Sequence, residues 1–453
     1  MALLAAPVLA GPPLRFRLAV GDRLIYERHV RVSGLGDEAA IERHMQQLQL
    51  WCLDRAAEGE ALVLAEVLPV VEQRAGPSRG TVFFVDERGR RRFADEVLAR
   101  VDLGDGEPAA APLDAIFELL PTLPPALHTA PDWLTEPDHF GRCWRCTPAP
   151  PARTPAAAAD AGATGDGLVR IDWQLEDPTG VAAARGVRQR GASWFDAQAG
   201  LIVRVESETV NLTARRRVLT MTRLYARRRE TPHWCARRAA EVERFLYTLR
   251  LEDRLIDQVV TEPQRIGQIL PRFDRIWAEL LYELPEAGES PVRRLAESAR
   301  RAAQDRLADY RERAELAGQW LGAPAAHWSL QTPEGRTLRS EALRDRIVVE
   351  CFWSAESAAC LRSFQMLRQL QQRLPPERFR VVCINIDADA ESGRRVARLC
   401  GAELVHVLAG PPIGGLPPRE LPVFRILDPR SRVLAVDFGW QPRLADKIAQ
   451  LGR

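Results

Sequence analysis

The sequence I-V-V-E-C-F-W-S-A-E-S-A-A-C, from Ile347 to Cys360, combines a buried strand, a sharp turn and the beginning of a helix. Its first half is an apolar run broken at Glu350, which is typical of a strand covered on both faces of a sheet. The apolar residues that follow recur at helical spacing and share one face, namely Cys360, Phe364, Leu367, Leu370 and Leu374. The stretch therefore predicts a strand and a helix joined by a turn that contains Ser357.

The surrounding residues complete an α/β domain, which we place at 318–453. A strand entry at Leu321 and a hairpin turn around Gly335 precede the quoted stretch. The later elements are predicted as a strand at Val381–Asp387, a helix at Glu391–Cys400, strands at Val423–Leu427 and Val433–Phe438, and a final helix from Pro442. This gives the order βαβα followed by ββα.

The segment F-W-S-A-E-S-A-A-C resembles the F-W-A-x-W-C-x-x-C signature of the TlpA/ResA type of thioredoxin-like protein, within the wider AhpC/TSA-like group. The opening L-G-x-P-A, the strand V-C-I-N-I-D and the segment L-P-V-F-R-I-L-D also fit this family. The resemblance covers the last third of the chain and leaves the rest unexplained. It implies a thioredoxin-like fold and a groove that holds a protein or peptide partner.

In that family the first cysteine of the motif lies at a helix N-terminus, where the helix dipole lowers its pKa and makes it the attacking thiolate. Ser357 occupies this position here, and Cys360 occupies that of the second cysteine. Pro422 matches the family's cis-proline, and Glu356 replaces an aromatic residue. Because a serine hydroxyl is not ionised near neutral pH, we expect dithiol exchange to be absent and the domain to act in binding.

Two alternatives keep a role for Cys360. A one-cysteine redox enzyme, either peroxiredoxin-like or a thiol oxidoreductase, would use Cys360 directly, and Ser357-Ala-Ala-Cys360 does satisfy a Ser/Thr-x-x-Cys pattern. Trp353 and Pro422, however, stand where a peroxiredoxin has proline and arginine. The third interpretation is that Cys360 is simply a packed helix residue.

Cys143-Trp144-Arg145-Cys146 is the one intact C-x-x-C of the chain. A zinc site would need two further ligands, of which His139 is the near candidate, and a redox motif would need a helix after it, which Pro148 opposes. A local disulfide or two chance thiols is the favoured interpretation, and a reductase using this pair is the alternative. The sequence predicts no cofactor and no metal.

The preceding part of the chain is predicted as a mainly antiparallel β domain at 14–230, followed by a helical connector at 231–317, so the protein is multi-domain. Alternation of apolar and polar residues predicts the strands. The Ala/Pro-rich stretch Thr147–Gly167 is predicted as a flexible loop of the β domain. The ligand of this domain is unknown.

Charge and hydropathy narrow the choice of partners. The net charge is +2, and the 63 basic residues include the single lysine Lys447, which gives little support to nucleic-acid binding. No apolar run approaches the roughly 20 residues of a membrane-spanning helix. Residues 1–13 resemble a truncated signal segment, which predicts the periplasm or cell envelope, with membrane proximity only after export. The alternative is a frayed terminus and a cytoplasmic protein.

Overall fold

The structure is a computed structural model of the 453-residue chain. It describes residues 14–35, 37–56, 58–71, 74–75, 79–94, 97, 116, 118–124, 132–135, 143–149, 168–176, 186–212, 214–286, 290–400, 404–410, 421–439, 444 and 447–448. The predicted signal segment at 1–13 lies outside them. The main division of the chain into two compact units runs between Glu243 and Arg244.

A sheet of twelve described strands forms most of the first unit. Its strands are β1 (Asp22–Gly34), β2 (Asp37–Arg55), β3 (Ala61–Val71), β4 (Arg74–Ala75), β5 (Arg79–Val85), β6 (Arg91–Arg92), β7 (Trp133–Leu134), β8 (Cys143–Ala149), β9 (Leu168–Glu176), β10 (Val187–Asp196), β11 (Leu201–Asn211) and β12 (Arg216–Arg229). The order is β6-β5-β3-β2-β1-β12-β11-β10-β9-β8-β7, with β4 beside β3, and every pairing is antiparallel. The predicted antiparallel β structure is confirmed.

Alternation along the strands gives this sheet one buried and one solvated face, as the sequence pattern predicts. On β11, Val205 and Ser207 are buried, whereas Glu206 and Glu208 between them are partly exposed. The predicted loop at Thr147–Gly167 begins too early, because Thr147 to Ala149 belong to β8. The short strand β7 pairs only with Arg145 and Cys146, so β8 is an edge strand at Pro148, where proline is tolerated. Residues 150–167 lie outside the described residues.

Four helices follow, numbered here from Pro232 on: α1 (Pro232–Thr261), α2 (Ile266–Glu283), α3 (Pro291–Asp305) and α4 (Leu307–Trp320). The predicted helical segment is thus confirmed as helical, although α4 continues past residue 317. Ser290 caps α3, since its hydroxyl accepts a hydrogen bond from the amide of Arg293 at 3.2 Å. The connector and domain bounds themselves stay a prediction.

The second unit contains a mixed sheet of seven described strands and two further helices. They are β13 (Ser329–Gln331), β14 (Thr337–Arg339), β15 (Ile347–Trp353), α5 (Ala358–Arg373), β16 (Phe379–Asn385), α6 (Ala390–Cys400), β17 (Val405–Leu408), β18 (Val423–Leu427) and β19 (Val433–Phe438). The order is β14-β13-β17-β16-β15-β18-β19. The predicted order of elements is confirmed, with β17 as an addition, and β15 lies in the interior of the sheet.

One hydrophobic core unites this sheet with helical residues that precede it in the chain. Phe273 of α2 and Tyr310 of α4 stack with ring centroids 4.8 Å apart, and both belong to the same cluster as Phe352 and Phe424 of the sheet. The Arg313 guanidinium of α4 lies 5.8 Å from the ring centroid of Phe438 on β19. These helices therefore pack as part of the α/β layer structure.

Among the described helices, none combines the length and the apolar character that crossing a bilayer requires.

Candidate functional site

The turn between β15 and α5 carries Ser357 at the start of a helix. Ser357 is the N-cap residue, and its hydroxyl oxygen accepts a hydrogen bond from the amide of Cys360 at 3.3 Å. An N-cap side chain satisfies one of the backbone donors that the first helical turn leaves without a partner. The serine at this position therefore has a structural task that uses its oxygen as an acceptor.

Hydrogen bonds from the neighbouring strand hold the same turn. The amide of Ala355 donates to Oδ2 of Asp387 at 2.8 Å, and Nδ2 of Asn385 donates to the same oxygen at 2.8 Å. The amide of Glu356 donates to the Ser354 hydroxyl at 3.2 Å, while the Glu356 side chain is exposed. The turn is thus tied at several points to the end of β16, which fixes its shape.

Cys360 lies in the first turn of α5 and is fully buried. The Cys360 thiolate would raise the pKa of Cys351 on β15 by like-charge repulsion, so the two sulfurs lie near each other beneath the helix. A thiol without solvent exposure cannot be reached by a disulfide or a peroxide unless the helix moves. The geometry gives Cys360 the surroundings of a core residue.

Cys351 and Cys383 are directly paired neighbours on the parallel strands β15 and β16. Both are fully buried. Burial raises the pKa of Cys351 well above its ordinary value, and a hydrogen bond between the two thiols raises it further. These cysteines were predicted as buried strand residues, and the structure confirms that position.

An aromatic cluster packs against the same helix. Trp353 meets Phe364 of α5 edge-on with ring centroids 5.0 Å apart, and the His406 ring of β17 lies 5.6 Å from Trp353 and 5.3 Å from Phe364. All three side chains are buried. This cluster fixes the C-terminal end of β15, from which the Ser357 turn emerges.

Pro422 precedes β18, and the peptide bond from Leu421 to Pro422 is cis, as the resemblance implies. The register pairs Val423 with Phe352, so Pro422 continues that pairing toward Trp353 at the end of β15. Pro422 is buried, and its carbonyl accepts a hydrogen bond from the amide of Gly439 at 2.7 Å. The strand register therefore brings Pro422 to the sheet edge that bears the Ser357 turn.

A buried ion pair on the other face of β15 was not predicted from the sequence. Glu350 is 1% exposed, and Oε2 accepts from Nε and Nη2 of Arg425 on β18 at 2.9 and 2.7 Å. Oε1 accepts from Nε1 of Trp328 at 2.8 Å. The available signal was the one charge in an apolar strand, which requires a buried partner.

The Cys143 and Cys146 pair is not a local disulfide, contrary to the favoured interpretation. The two cysteines lie three residues apart within β8, in continuous register with β9, so their side chains point to opposite faces of the sheet. Three steps along a strand separate their Cα atoms by about 10 Å, beyond the reach of a disulfide. A dithiol reductase that uses this pair is excluded for the same reason.

No group of three or more His, Cys, Asp and Glu side chains within the described parts of the chain is arranged to hold a metal ion. His139, the additional zinc ligand considered from the sequence, lies outside those parts.

No protein-family model matches the chain, and no curated protein matches it. The solved structures similar to it are thioredoxin-like thiol-disulfide oxidoreductases and cover less than a third of its length. A thiol:disulfide interchange protein DsbE from Chlorobium tepidum is 22% identical over 29% of this chain and 93% of its own, with a TM-score of 0.26. A thiol-disulfide oxidoreductase from Bacteroides fragilis is 21% identical over 28% and 99%, with a TM-score of 0.26. A DsbF homologue from Corynebacterium diphtheriae is 22% identical over 28% and 84%, with a TM-score of 0.25.

Proposed function

We propose that the C-terminal part of this chain is a thioredoxin-like domain of the TlpA/ResA type that has lost dithiol exchange and binds a protein or peptide. The observation that carries the proposal is the state of the two motif positions. Ser357 caps α5 through its hydroxyl oxygen, and Cys360 is fully buried behind it. Neither position offers an accessible thiolate.

Thiol-disulfide exchange begins when a thiolate attacks a disulfide sulfur and forms a mixed disulfide. A second thiol then attacks that mixed disulfide and releases the reduced substrate. With Ser357 at the first position, the first bond cannot form, and a buried Cys360 has no mixed disulfide to resolve. The intact turn and the register of Pro422 support a groove that is kept for binding.

The burial of Cys360 also counts against the alternative of a one-cysteine enzyme. A peroxidase or one-cysteine oxidoreductase needs a solvent-accessible sulfur with a lowered pKa. Cys360 is 0% exposed and lies against apolar residues of the core. Treatment with dilute peroxide, followed by trapping of sulfenic acid at Cys360, tests this alternative, and we expect no trapped product.

Binding at the turn is tested with two exposed glutamates of the same unit. Glu356 lies in the Ser357 turn, whereas Glu377 precedes β16 and therefore lies at the opposite edge of the sheet. We expect Glu356→Arg to change the affinity for an S-alkylated, unfolded insulin B chain, and Glu377→Arg to leave it unchanged. Equal effects of both variants, or no binding by the unmodified protein, would contradict a peptide groove at this turn.

The proposal places the protein in the periplasm or cell envelope, the compartment that the resemblance implies for this family. Fractionation of cells that express the full reading frame tests the location directly.

A further inference from the structure

The solvated face of the first sheet forms an open groove of about 1130 Å³ across β1, β2 and β8 to β12. Typical small-molecule pockets measure roughly 300–1,000 Å³ and enclose most of their ligand. This groove is larger and lies open on a sheet face. It therefore suits a ligand that is long and keeps part of its surface in water.

One end of the groove combines positive charge with apolar surface. Two cross-strand rows form this patch, which we call the arginine patch: Arg43, Arg31 and Leu219 in one row, and Met45, His29 and Met221 in the other. Residues directly opposite each other on antiparallel strands lie on the same face, and so do residues two apart on one strand. All six side chains therefore share one surface.

The apolar members of the arginine patch are unusually accessible. Met45, Leu219 and Met221 are 41%, 39% and 41% exposed, although each has buried neighbours on its own strand or the next. Large apolar side chains gathered at one exposed place mark interaction surfaces. A partner that covers these three residues gains from the burial of their surface.

The two arginines oppose each other without a counter-charge. Arg31 and Arg43 are directly paired across β1 and β2, both are exposed, and neither forms a hydrogen bond or ion pair with any residue that the structure describes. Like charges directly opposite each other destabilise a sheet. An anion placed between the two guanidinium groups would remove this repulsion and receive charge-assisted hydrogen bonds from both.

The acidic residues of the groove are already engaged by other arginines. Glu208 accepts from Nε of Arg190 and from Nε of Arg217, each at 2.7 Å. Burial raises the pKa of Glu208, but the hydrogen bonds and charges of these two arginines outweigh it and hold the pKa below its ordinary value. Glu206 pairs with Arg204 in the same way. The uncompensated charge of the groove is therefore positive and lies at the arginine patch.

We infer that this groove binds an acidic peptide segment of a protein partner, with carboxylates at Arg31 and Arg43 and an apolar side chain on Leu219 and Met221. The inference goes beyond the proposed function, because it concerns another unit of the chain. A fatty acyl chain fits less well. Beyond the arginine patch the groove floor consists of charged pairs such as Arg170 and Asp172, and covering these pairs with hydrocarbon would remove their solvation.

The test measures binding of a fluorescein-labelled peptide of alternating glutamate and leucine to the full chain, with the lysine-leucine peptide as its counterpart. We expect the chain to bind the acidic peptide in preference to the basic one. The double variant Arg31→Ser with Arg43→Ser should lower the affinity about tenfold or more, since two charge-assisted contacts are lost. The control variant Arg250→Ser with Arg275→Ser removes two exposed arginines of the helices and should change nothing.

A charge reversal keeps the test informative even if the serine variant is poorly behaved. Arg31→Glu with Arg43→Glu should transfer the preference to the basic peptide, while a thermal unfolding transition verifies that the sheet is folded. Equal affinity for both peptides, an equal loss in the control variant, or arginine-dependent binding of dodecanoate in place of the peptide would overturn the inference. None of these outcomes bears on Ser357, so the proposed function is tested separately.

Discussion

The hydroxyl oxygen of Ser357 accepts a hydrogen bond from the backbone amide of Cys360 at 3.3 Å. The two positions that carry thiols in the thiol-disulfide oxidoreductase motif are here linked as an N-cap and its amide donor. The serine stabilises the helix start in place of chemistry, and the cysteine is enclosed in the core.

Loss of this cap should destabilise the protein. We expect Ser357→Ala to lower the free energy of unfolding by about 1 kcal/mol, since the amide of Cys360 loses its acceptor. Chemical denaturation followed by tryptophan fluorescence measures the change. Ser392→Ala is the control, because Ser392 lies in the first turn of α6 with no printed contact of its hydroxyl, and it should have a much smaller effect. Equal effects would contradict a capping role.

The buried pair of Glu350 and Arg425 should be sensitive to the loss of one partner. Arg425→Met leaves the Glu350 carboxylate buried without its counter-charge, and we expect a cost of about 3–5 kcal/mol in the free energy of unfolding. Removing both charges, as Glu350→Gln with Arg425→Met, should cost clearly less. Arg394→Met, which breaks the exposed pair with Glu391, should cost at most about 1 kcal/mol. A double variant less stable than Arg425→Met would contradict this account.

Asp437 should make the stability depend on pH. Burial raises its pKa, and the charge and hydrogen bond of Lys447 only partly oppose this. A carboxyl with a raised folded-state pKa binds its proton more tightly in the folded protein, so stability falls as pH rises from about 4 through the folded pKa. The stability of Asp437→Asn relative to the unmodified protein should therefore increase over this range. A constant difference between the two proteins from pH 4 upward would show that the carboxyl does not titrate as described.

Relief of the repulsion between Arg31 and Arg43 should be visible without any ligand. We expect Arg43→Ser to raise the unfolding temperature slightly at low salt, and this gain should shrink as salt screens the charges. Arg250→Ser should show no such salt-dependent gain. A lower unfolding temperature for Arg43→Ser at low salt would indicate a counter-charge that the account omits.

The sequence predicted the α/β unit well because its signals are local. The run from Ile347 to Trp353 and the helical spacing after Cys360 specify a strand and a helix wherever they pack. The strand at Val405–Leu408 was missed because four residues carry too little periodicity. Pro148 was assigned to a loop because edge pairing cannot be seen in the sequence.

The side-chain partnerships depend on strand register, which the sequence does not reveal. Glu350 meets Arg425 because β15 pairs with β18, and Arg31 opposes Arg43 because β1 pairs with β2. The Cys143 and Cys146 pair failed as a disulfide because a strand turns its side chains alternately to the two faces. Ser357 and Cys360 were placed correctly because three residues at a helix start have one geometry.

The most direct measurement of the central claim is the reduction of insulin with a dithiol as electron source. The unmodified protein should not accelerate the reaction, whereas Ser357→Cys should gain activity, since a cysteine at the helix start becomes a thiolate that Cys360 can resolve. Ser357→Cys combined with Cys360→Ser should lose the catalytic cycle again. Activity of the unmodified protein that survives Ser357→Ala but disappears in Cys360→Ser would contradict the account and assign catalysis to Cys360 alone.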